Sequence, residues 1–420
     1  VRIFQKDLFE RAFVVIALLF YSGALVSFIP GARSSLLAAH PLVLLVQATA
    51  NTAFAISLFL IAQRWKYAIA ICIKEKLLWV LVSLIVASIL WSDLPTETFI
   101  NVLPFLRVTV FGIYFATRFC LRDQIKLLTW VFAIAAVLSL LFAIALPKYG
   151  VVGRGFISGM EDIVHQGRWR GIYVHKTLLG TMMVMGMLIF LARGVAERKN
   201  RWVMWIGFCL CFFILQMSTT RGALAAFVIT LLLVPFYRAL RWKGMIAIPF
   251  FSTSLLISGI VISLLVTNAE QVLRLLGRDI TLTGRTVYWP LMLEKIWERP
   301  WLGYGYQTFW IGGWKGEVAD VWRYLAVGNE PPHAHNGFLN LWFSVGLVGL
   351  GFFVLGFLLN YYRSITWMRT VHTIEGLVPI VYLTMTLLLN LTESFLAEAN
   401  IFWIIYISVT LSTHQNAIKN

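Results

Sequence analysis

Apolar residues run through this chain in long blocks, interrupted at intervals by short polar clusters. Blocks near 12–29, 41–61, 77–91, 99–119, 125–146, 174–192, 201–217, 222–240, 245–266, 336–359, 377–393 and 400–414 approach the ~20 apolar residues that a helix needs to cross a bilayer. The pattern predicts an all-α integral membrane protein of about twelve transmembrane helices, forming one domain over 1–420. No internal repeat or low-complexity linker divides it. The longest polar interval, 267–335, reads as a large loop between the ninth and tenth spans. Within this loop Thr283 can cap a helix starting near Arg285, with Val287, Leu291, Leu293 and Ile296 among its apolar residues and Pro300 ending it. Such a helix suits the membrane interface, its Trp289 and Trp297 at headgroup depth. Pro300-Trp301-Leu302-Gly303-Tyr304-Gly305 follows as a tight turn.

Composition agrees with this reading. Sixty per cent of the 420 residues are hydrophobic and 13% charged, with mean hydropathy +0.80, too little polar surface for a soluble chain of this length. The net charge of +16 raises the question of nucleic acid, but Lys and Arg collect in cytoplasmic loops to orient membrane proteins, and that accounts for them better; no nucleic-acid partner is expected. With the N-terminus inside, the inside loops hold Arg64, Lys66, Lys74 and Lys76, then Arg118, Arg122 and Lys126, then Arg193, Arg198, Lys199 and Arg201, then Arg238, Arg241 and Lys243, and finally Arg363 and Arg369. The short outside turns carry only acids, Asp93, Glu97, Glu393 and Glu398. Arg2, Lys6 and Arg11 precede the first apolar block, which reads as a retained span rather than a cleaved leader. Cys72, Cys120, Cys209 and Cys211 lie in or beside apolar runs without metal-ligand spacing, so no disulfide framework is implied.

Two outside segments break the charge rule. Residues 147–173 carry Lys148, Arg154, Arg168 and Arg170, and residues 267–335 carry Arg274, Arg278, Arg285, Lys295, Arg299, Lys315 and Arg323. Long loops translocate regardless of charge, so these cations need another reason: an anionic ligand on the outer face, or anionic headgroups. Arg221, in Ser218-Thr219-Thr220-Arg221-Gly222, sits between two spans with almost no loop, where a guanidinium can fork onto phosphate oxygens or simply snorkel. Arg285 stands in the first turn of its helix, where its own helix dipole disfavours it and an external anion would favour it. His333 and His335, in Pro332-His333-Ala334-His335-Asn336-Gly337, offer a general base at the membrane–water boundary, while Asn336 can cap the following helix. No third ligand accompanies the two histidines in sequence, so no metal is expected. Arg168, Arg170 and Lys176 add cations at another span entrance, and Arg107 is a charge inside the fourth block. The near absence of Asp and Glu from the spans argues against a proton- or cation-coupled transporter.

Thr220-Arg221-Gly222, Thr283-Gly284-Arg285, the 300–305 turn, His333-Ala334-His335-Asn336 and Gly346-Leu347-Val348-Gly349-Leu350 occur in the order and spacing of the O-antigen ligase/polymerase superfamily, which the chain resembles best over 165–390. The resemblance implies a metal-independent, inverting glycosyltransferase of the GT-C type in the bacterial inner membrane, with its site on the periplasmic side and no cofactor. It implies an undecaprenyl-pyrophosphate-linked glycan as donor, a second glycan or lipid A-core as acceptor, contact with membrane lipids, and a chain-length regulator as partner. Arg221 and Arg285 would hold the pyrophosphate and His335 would be the base, with Arg168, Arg170, Lys176, His333 and Asn336 binding substrate. The segment 170–176 resembles the exopolysaccharide-polymerase branch, although Thr177 stands where that branch often carries Asn, so polymerisation of surface-polysaccharide repeat units is the expected activity and ligation to lipid A-core the alternative. A lipid-linked-glycan flippase is the competing transport reading, and a metal-dependent oligosaccharyltransferase would need outer carboxylates such as Asp93, Glu161 and Asp162.

Overall fold

The computed structural model describes residues 2–25, 41–154, 165–197, 199–241, 285–325 and 331–414. In chain order its helices of 8 residues or more are α1 (Arg2–Tyr21), α2 (Pro41–Ala62), α3 (Trp65–Cys72), α4 (Lys76–Ala87), α5 (Pro95–Arg118), α6 (Leu121–Ala145), α7 (Lys176–Ala196), α8 (Arg201–Ser218), α9 (Arg221–Ala239), α10 (Arg285–Glu298), α11 (Gly337–Thr370), α12 (Val378–Asn390) and α13 (Ile401–Ser412). Among the described residues there is no strand, only a single bridge between Val151 and Trp169. A helix occupies each expected span except 245–266, which lies outside the described residues. Seven helices, α5 to α9, α11 and the part of α2 from Leu44, are long and apolar enough to cross a membrane, while α4, α12 and α13 are shorter apolar helices. The chain is therefore an all-α integral membrane protein. Two boundaries differ from the sequence reading. Helix α1 begins at Arg2, because Asp7 and Arg11 pair across one turn at 2.7 Å and let the helix start among charges. The short α3 between α2 and α4 was not anticipated.

Apolar contact alone drives little association between helices surrounded by lipid, so polar side chains and close backbone approach hold such bundles together. Helix α5 packs along α13, where Trp403 Nε1 donates to Thr109 Oγ1 at 2.9 Å. Asn360 of α11 donates to Tyr406 OH at 3.0 Å and to Thr410 Oγ1 at 2.9 Å on α13. Tyr237 of α9 and Thr384 of α12 share a hydroxyl bond of 2.6 Å.

Polar contacts at the helix ends sort into two sets. Arg118 pairs with Asp7 and Glu10, Arg122 with Glu375, Arg241 with the carbonyls of Met368 and Val371, and Arg363 and His414 with Glu75. All of these residues belong to loops or ends assigned to one side by the alternation of charge. At the opposite ends, Trp91 Nε1 donates to Leu302 O at 2.9 Å, Arg299 pairs with Asp93 at 2.6 Å, and Tyr306 N donates to Ser88 Oγ at 3.1 Å. The chain alternation and the contacts thus describe the same two faces.

The face bearing 285–335 has its own small core. Tyr288, Met292 and Ile296, spaced four apart on α10, are buried with Tyr304, Phe309, Val318, Val321, Ala334 and Phe343. The apolar stripe of α10 therefore covers protein rather than lying open to lipid, while Trp297, Trp301 and Tyr324 are among the large side chains left exposed. This lobe is stitched into α11 at a break in that helix. Gly346 has φ 68° and ψ −174°, a conformation essentially restricted to glycine, and it interrupts the α-helical ladder. The 300–305 turn fills the gap: Leu347 N–H donates to Pro300 O at 2.7 Å, Val348 N–H to Trp301 O at 3.1 Å, and Tyr304 N–H to the released carbonyl of Phe343 at 2.8 Å. Non-helical backbone at such a place persists because the turn satisfies the groups that the break frees.

Candidate functional site

Four chain segments meet on this face, and three of them carry a residue singled out from the sequence. The first is the two-residue link between α8 and α9. Thr219 adopts a left-handed backbone (φ 54°), strained for a β-branched residue, and Thr220 Oγ1 donates to the carbonyl of Lys176 at 3.1 Å. The sharp reversal leaves Arg221 exposed at the first position of α9, beside the start of α7. The second is the turn after α12. A Cβ added to Gly222 would lie 3.4 Å from Thr392 Oγ1, so Arg221-Gly222 abuts Thr392-Glu393.

The third segment is the histidine loop. Asn336 caps α11, its Oδ1 accepting from the amides of Phe338 and Leu339 at 3.0 and 3.2 Å, as its sequence position suggested. His335 has φ 48°, and its backbone N–H donates to His333 Nδ1 at 3.2 Å. The two rings lie 4.1 Å apart between centroids. This kink turns His335 toward the α12–α13 turn, where its Nδ1 is 3.8 Å from Glu393 Oε2. Nδ1 is buried and has no hydrogen-bond partner at that distance, so a small shortening of this contact would complete it. Gly337 permits the approach, since a Cβ there would sit 2.3 Å from Asn390 Oδ1.

The fourth segment is α10. Trp289 Nε1 donates to Ala334 O, between the two histidines, at 3.0 Å. Arg285 lies one turn earlier, about 6 Å along the axis. The helix start at Arg285 is as expected, although the side chain of Arg285 and the proposed cap Thr283 lie outside the described atoms.

The remaining cations take different places. Arg170 Nε donates to Tyr149 O at 2.7 Å and thereby ties the 165–171 segment to 149–152. Arg168 Nη1 lies 3.0 Å from His165 Nδ1. Lys176 is buried at the first turn of α7, below His175, whose Nδ1 accepts from Thr177 N. These three stand on the same face, joined to the Arg221 link through the bond from Trp169 N to Met217 O at 3.1 Å. Sequence reasoning counted Glu393 only as an outside acid. Its proximity to His335 is 58 residues distant in the chain and no spacing signals it. His333, His335 and Glu393 each offer a ligand atom within 4.8 Å of the others, a donor set a cation could use and one that the histidine pair alone did not reveal.

Helices and site together define a multi-pass α-helical membrane protein that gathers guanidinium and imidazole groups on one face. Residues 206–354 match the O-antigen ligase family, a stretch that takes in Arg221, Arg285, His333 and His335. Over 84 residues the chain is 34% identical to the exopolysaccharide production protein ExoQ of Rhizobium meliloti (strain 1021); the match spans 20% of this chain and 19% of that protein. The two matches support the O-antigen ligase/polymerase superfamily for this chain.

Proposed function

We propose that the chain is a membrane glycosyltransferase that polymerises surface-polysaccharide repeat units, moving a glycan from an undecaprenyl-pyrophosphate donor to a hydroxyl of an acceptor glycan on the periplasmic side of the inner membrane. The observation that supports this reading is that Gly222, next to Arg221, abuts Thr392, that Glu393 lies 3.8 Å from His335, and that Trp289, one turn after Arg285, bonds to Ala334. In this reading His335 Nδ1–H points to Glu393, leaving Nε2 to take the proton of the acceptor hydroxyl. The acceptor oxygen attacks the anomeric carbon, the carbon–oxygen bond to the pyrophosphate breaks, and the configuration inverts. Negative charge grows on the departing pyrophosphate, and Arg221 and Arg285 stabilise it. Loss of one such group costs about 10²–10³ in rate.

Polymerisation is favoured over ligation to lipid A-core because the curated relative is described as an exopolysaccharide production protein. The test uses purified full-length protein with lipid-linked repeat units, with and without a lipid A-core acceptor. Long glycan without lipid A-core is the expected product, and transfer only to lipid A-core would establish the ligase reading instead. Arg221→Ala, Arg285→Ala and His335→Ala should each abolish the product while the protein still inserts. Normal product from all three would sink the proposal. Activity retained in a chelator is expected; loss reversed by a divalent ion would assign His333, His335 and Glu393 to a metal.

A further inference from the structure

Beside the catalytic residues lies a second feature that the scheme above does not use. A cavity of about 270 Å³ is lined by Asn101, Pro104, Tyr306, Gln307, Glu398, Ala399 and Asn400, at the outer ends of α5 and α13 and behind the 300–305 turn. It is at the small end for ligand pockets, a volume for a ring rather than for a whole repeat unit. Its polar groups are amide, carboxyl and phenol, set among the apolar surfaces of Pro104 and Ala399, the mixture that the hydroxyls and C–H faces of a sugar ring meet. No cation lines it, so it is not built for the pyrophosphate.

The lining is held in place from several sides. Tyr306 OH donates to Ala397 O at 2.8 Å, Gln307 N to Ser344 Oγ at 3.3 Å, and Asn340 Nδ2 to Glu398 Oε1 at 3.1 Å. Trp310 Nε1 in turn fixes Asn340 Oδ1 at 2.7 Å. Two non-glycine residues at the cavity, Gln307 (φ 60°) and Ala397 (φ 49°), are kept in left-handed backbone, a cost that structures retain chiefly where it positions a functional group. Burial raises the Glu398 carboxyl to about 7, against the hydrogen bonds from Gln307 and Asn340, so near neutral pH it offers both a donor and an acceptor.

The position relative to His335 is set by α11. Asn340 N–H donates to Asn336 O at 3.0 Å, so the residue that holds Glu398 is one helical turn from the histidine loop, about 6 Å and close to the span of one pyranose ring. We infer that this cavity is a subsite for an uncharged sugar ring of the acceptor glycan, with Asn101, Gln307 and Glu398 hydrogen-bonding its hydroxyls. The inference rests on the glycosyl-transfer reading above. Amide and carboxyl side chains match it because each presents donor and acceptor atoms side by side, as vicinal hydroxyls do.

The test uses the full chain, lipid-linked glycan extracted from cells lacking it, and the free oligosaccharide released from that extract by mild acid. The oligosaccharide is added as acceptor or competitor, and its half-effect concentration is measured. Asn101→Ala should raise that concentration about tenfold while the maximal rate and the half-saturating donor concentration stay within about twofold. Ala399→Trp, at the exposed rim, should do the same by filling the cavity, and it decides alone if Asn101→Ala does not fold. A half-effect concentration within about twofold of wild type in the folded variants would overturn the subsite, as would an oligosaccharide without effect on the wild type. In both cases glycan growth by the wild type leaves the enzymatic reading standing. Wild-type protein that forms no glycan product overturns that reading and the subsite with it.

Discussion

Replacing Gly346 by alanine should detach the 300–310 segment from the bundle and stop activity without preventing membrane insertion. A Cβ at this position would lie 2.0 Å from Trp301 O and 2.3 Å from Leu302 N, both backbone atoms of the docked turn. Neither can rotate away, so the turn must withdraw. Withdrawal loses the bonds from Leu347 N to Pro300 O, from Val348 N to Trp301 O and from Tyr304 N to Phe343 O. At about 1 kcal/mol each these amount to about 3 kcal/mol, and the φ of 68° adds about 1–3 kcal/mol for a residue with a side chain. The total, about 4–6 kcal/mol, rivals the whole stability of many domains. The segment that withdraws carries Tyr306 and Gln307 and packs on α10 through Tyr304, so the cavity and the approach of α10 to the histidine loop should both be lost. Glycan formation reads the first effect, and hydrogen exchange of 285–325 reads the second, with membrane-fraction yield as the control for insertion. Alanine favours a regular helix here, and a regular helix expels the turn; wild-type activity together with unchanged exchange would show that the turn does not depend on the break, and would refute the reasoning.

Three further outcomes follow from other contacts. Glu393→Gln should lower the maximal rate about 10–100-fold with little change in half-saturating substrate and should move the acidic limb of the pH–rate profile, because the carboxylate acts through His335, which serves as base only when unprotonated; a pH profile identical to wild type would assign Glu393 a structural role. Glu398 has an ordinary carboxyl value of 4.5 in the unfolded chain and about 7 in the folded one, so below 4.5 it costs nothing, and as pH rises from 4.5 to 7 the unfolded chain ionises first and folding weakens by up to about 3 kcal/mol. Glu398→Gln should therefore gain melting temperature over wild type at pH 8 relative to pH 5, and an equal offset at both values would contradict this. Lys295 meets Glu298, Asp320 and Glu317 at 2.8, 2.8 and 3.3 Å; burial works against its charge, but the three carboxylates outweigh it and hold the ammonium above the usual lysine range. Lys295→Met should leave three acids facing one another and speed hydrogen exchange in 285–325 by an amount equivalent to about 1–2 kcal/mol, and unchanged exchange would show the cluster to be neutral.

The sequence by itself determined the class of fold, since the bilayer imposes a length and an apolar content on each span that a one-dimensional pattern can display. It also determined the cap at Asn336 and the start of α10 at Arg285, which depend on neighbours within one turn. The order of the motifs around Arg221, Arg285 and His335 was legible too. The tertiary structure alone decided why the 300–305 turn and Gly346 belong together, because the hydrogen bonds that join them pass between residues 39 to 47 positions apart. It alone set Glu393 beside His335 and Glu398 beside Gln307, since long-range proximity leaves no periodicity in the chain. It also turned the apolar stripe of α10 toward Tyr304 and Phe343 rather than toward lipid, a choice periodicity cannot make because it marks which residues share a face and not what that face meets.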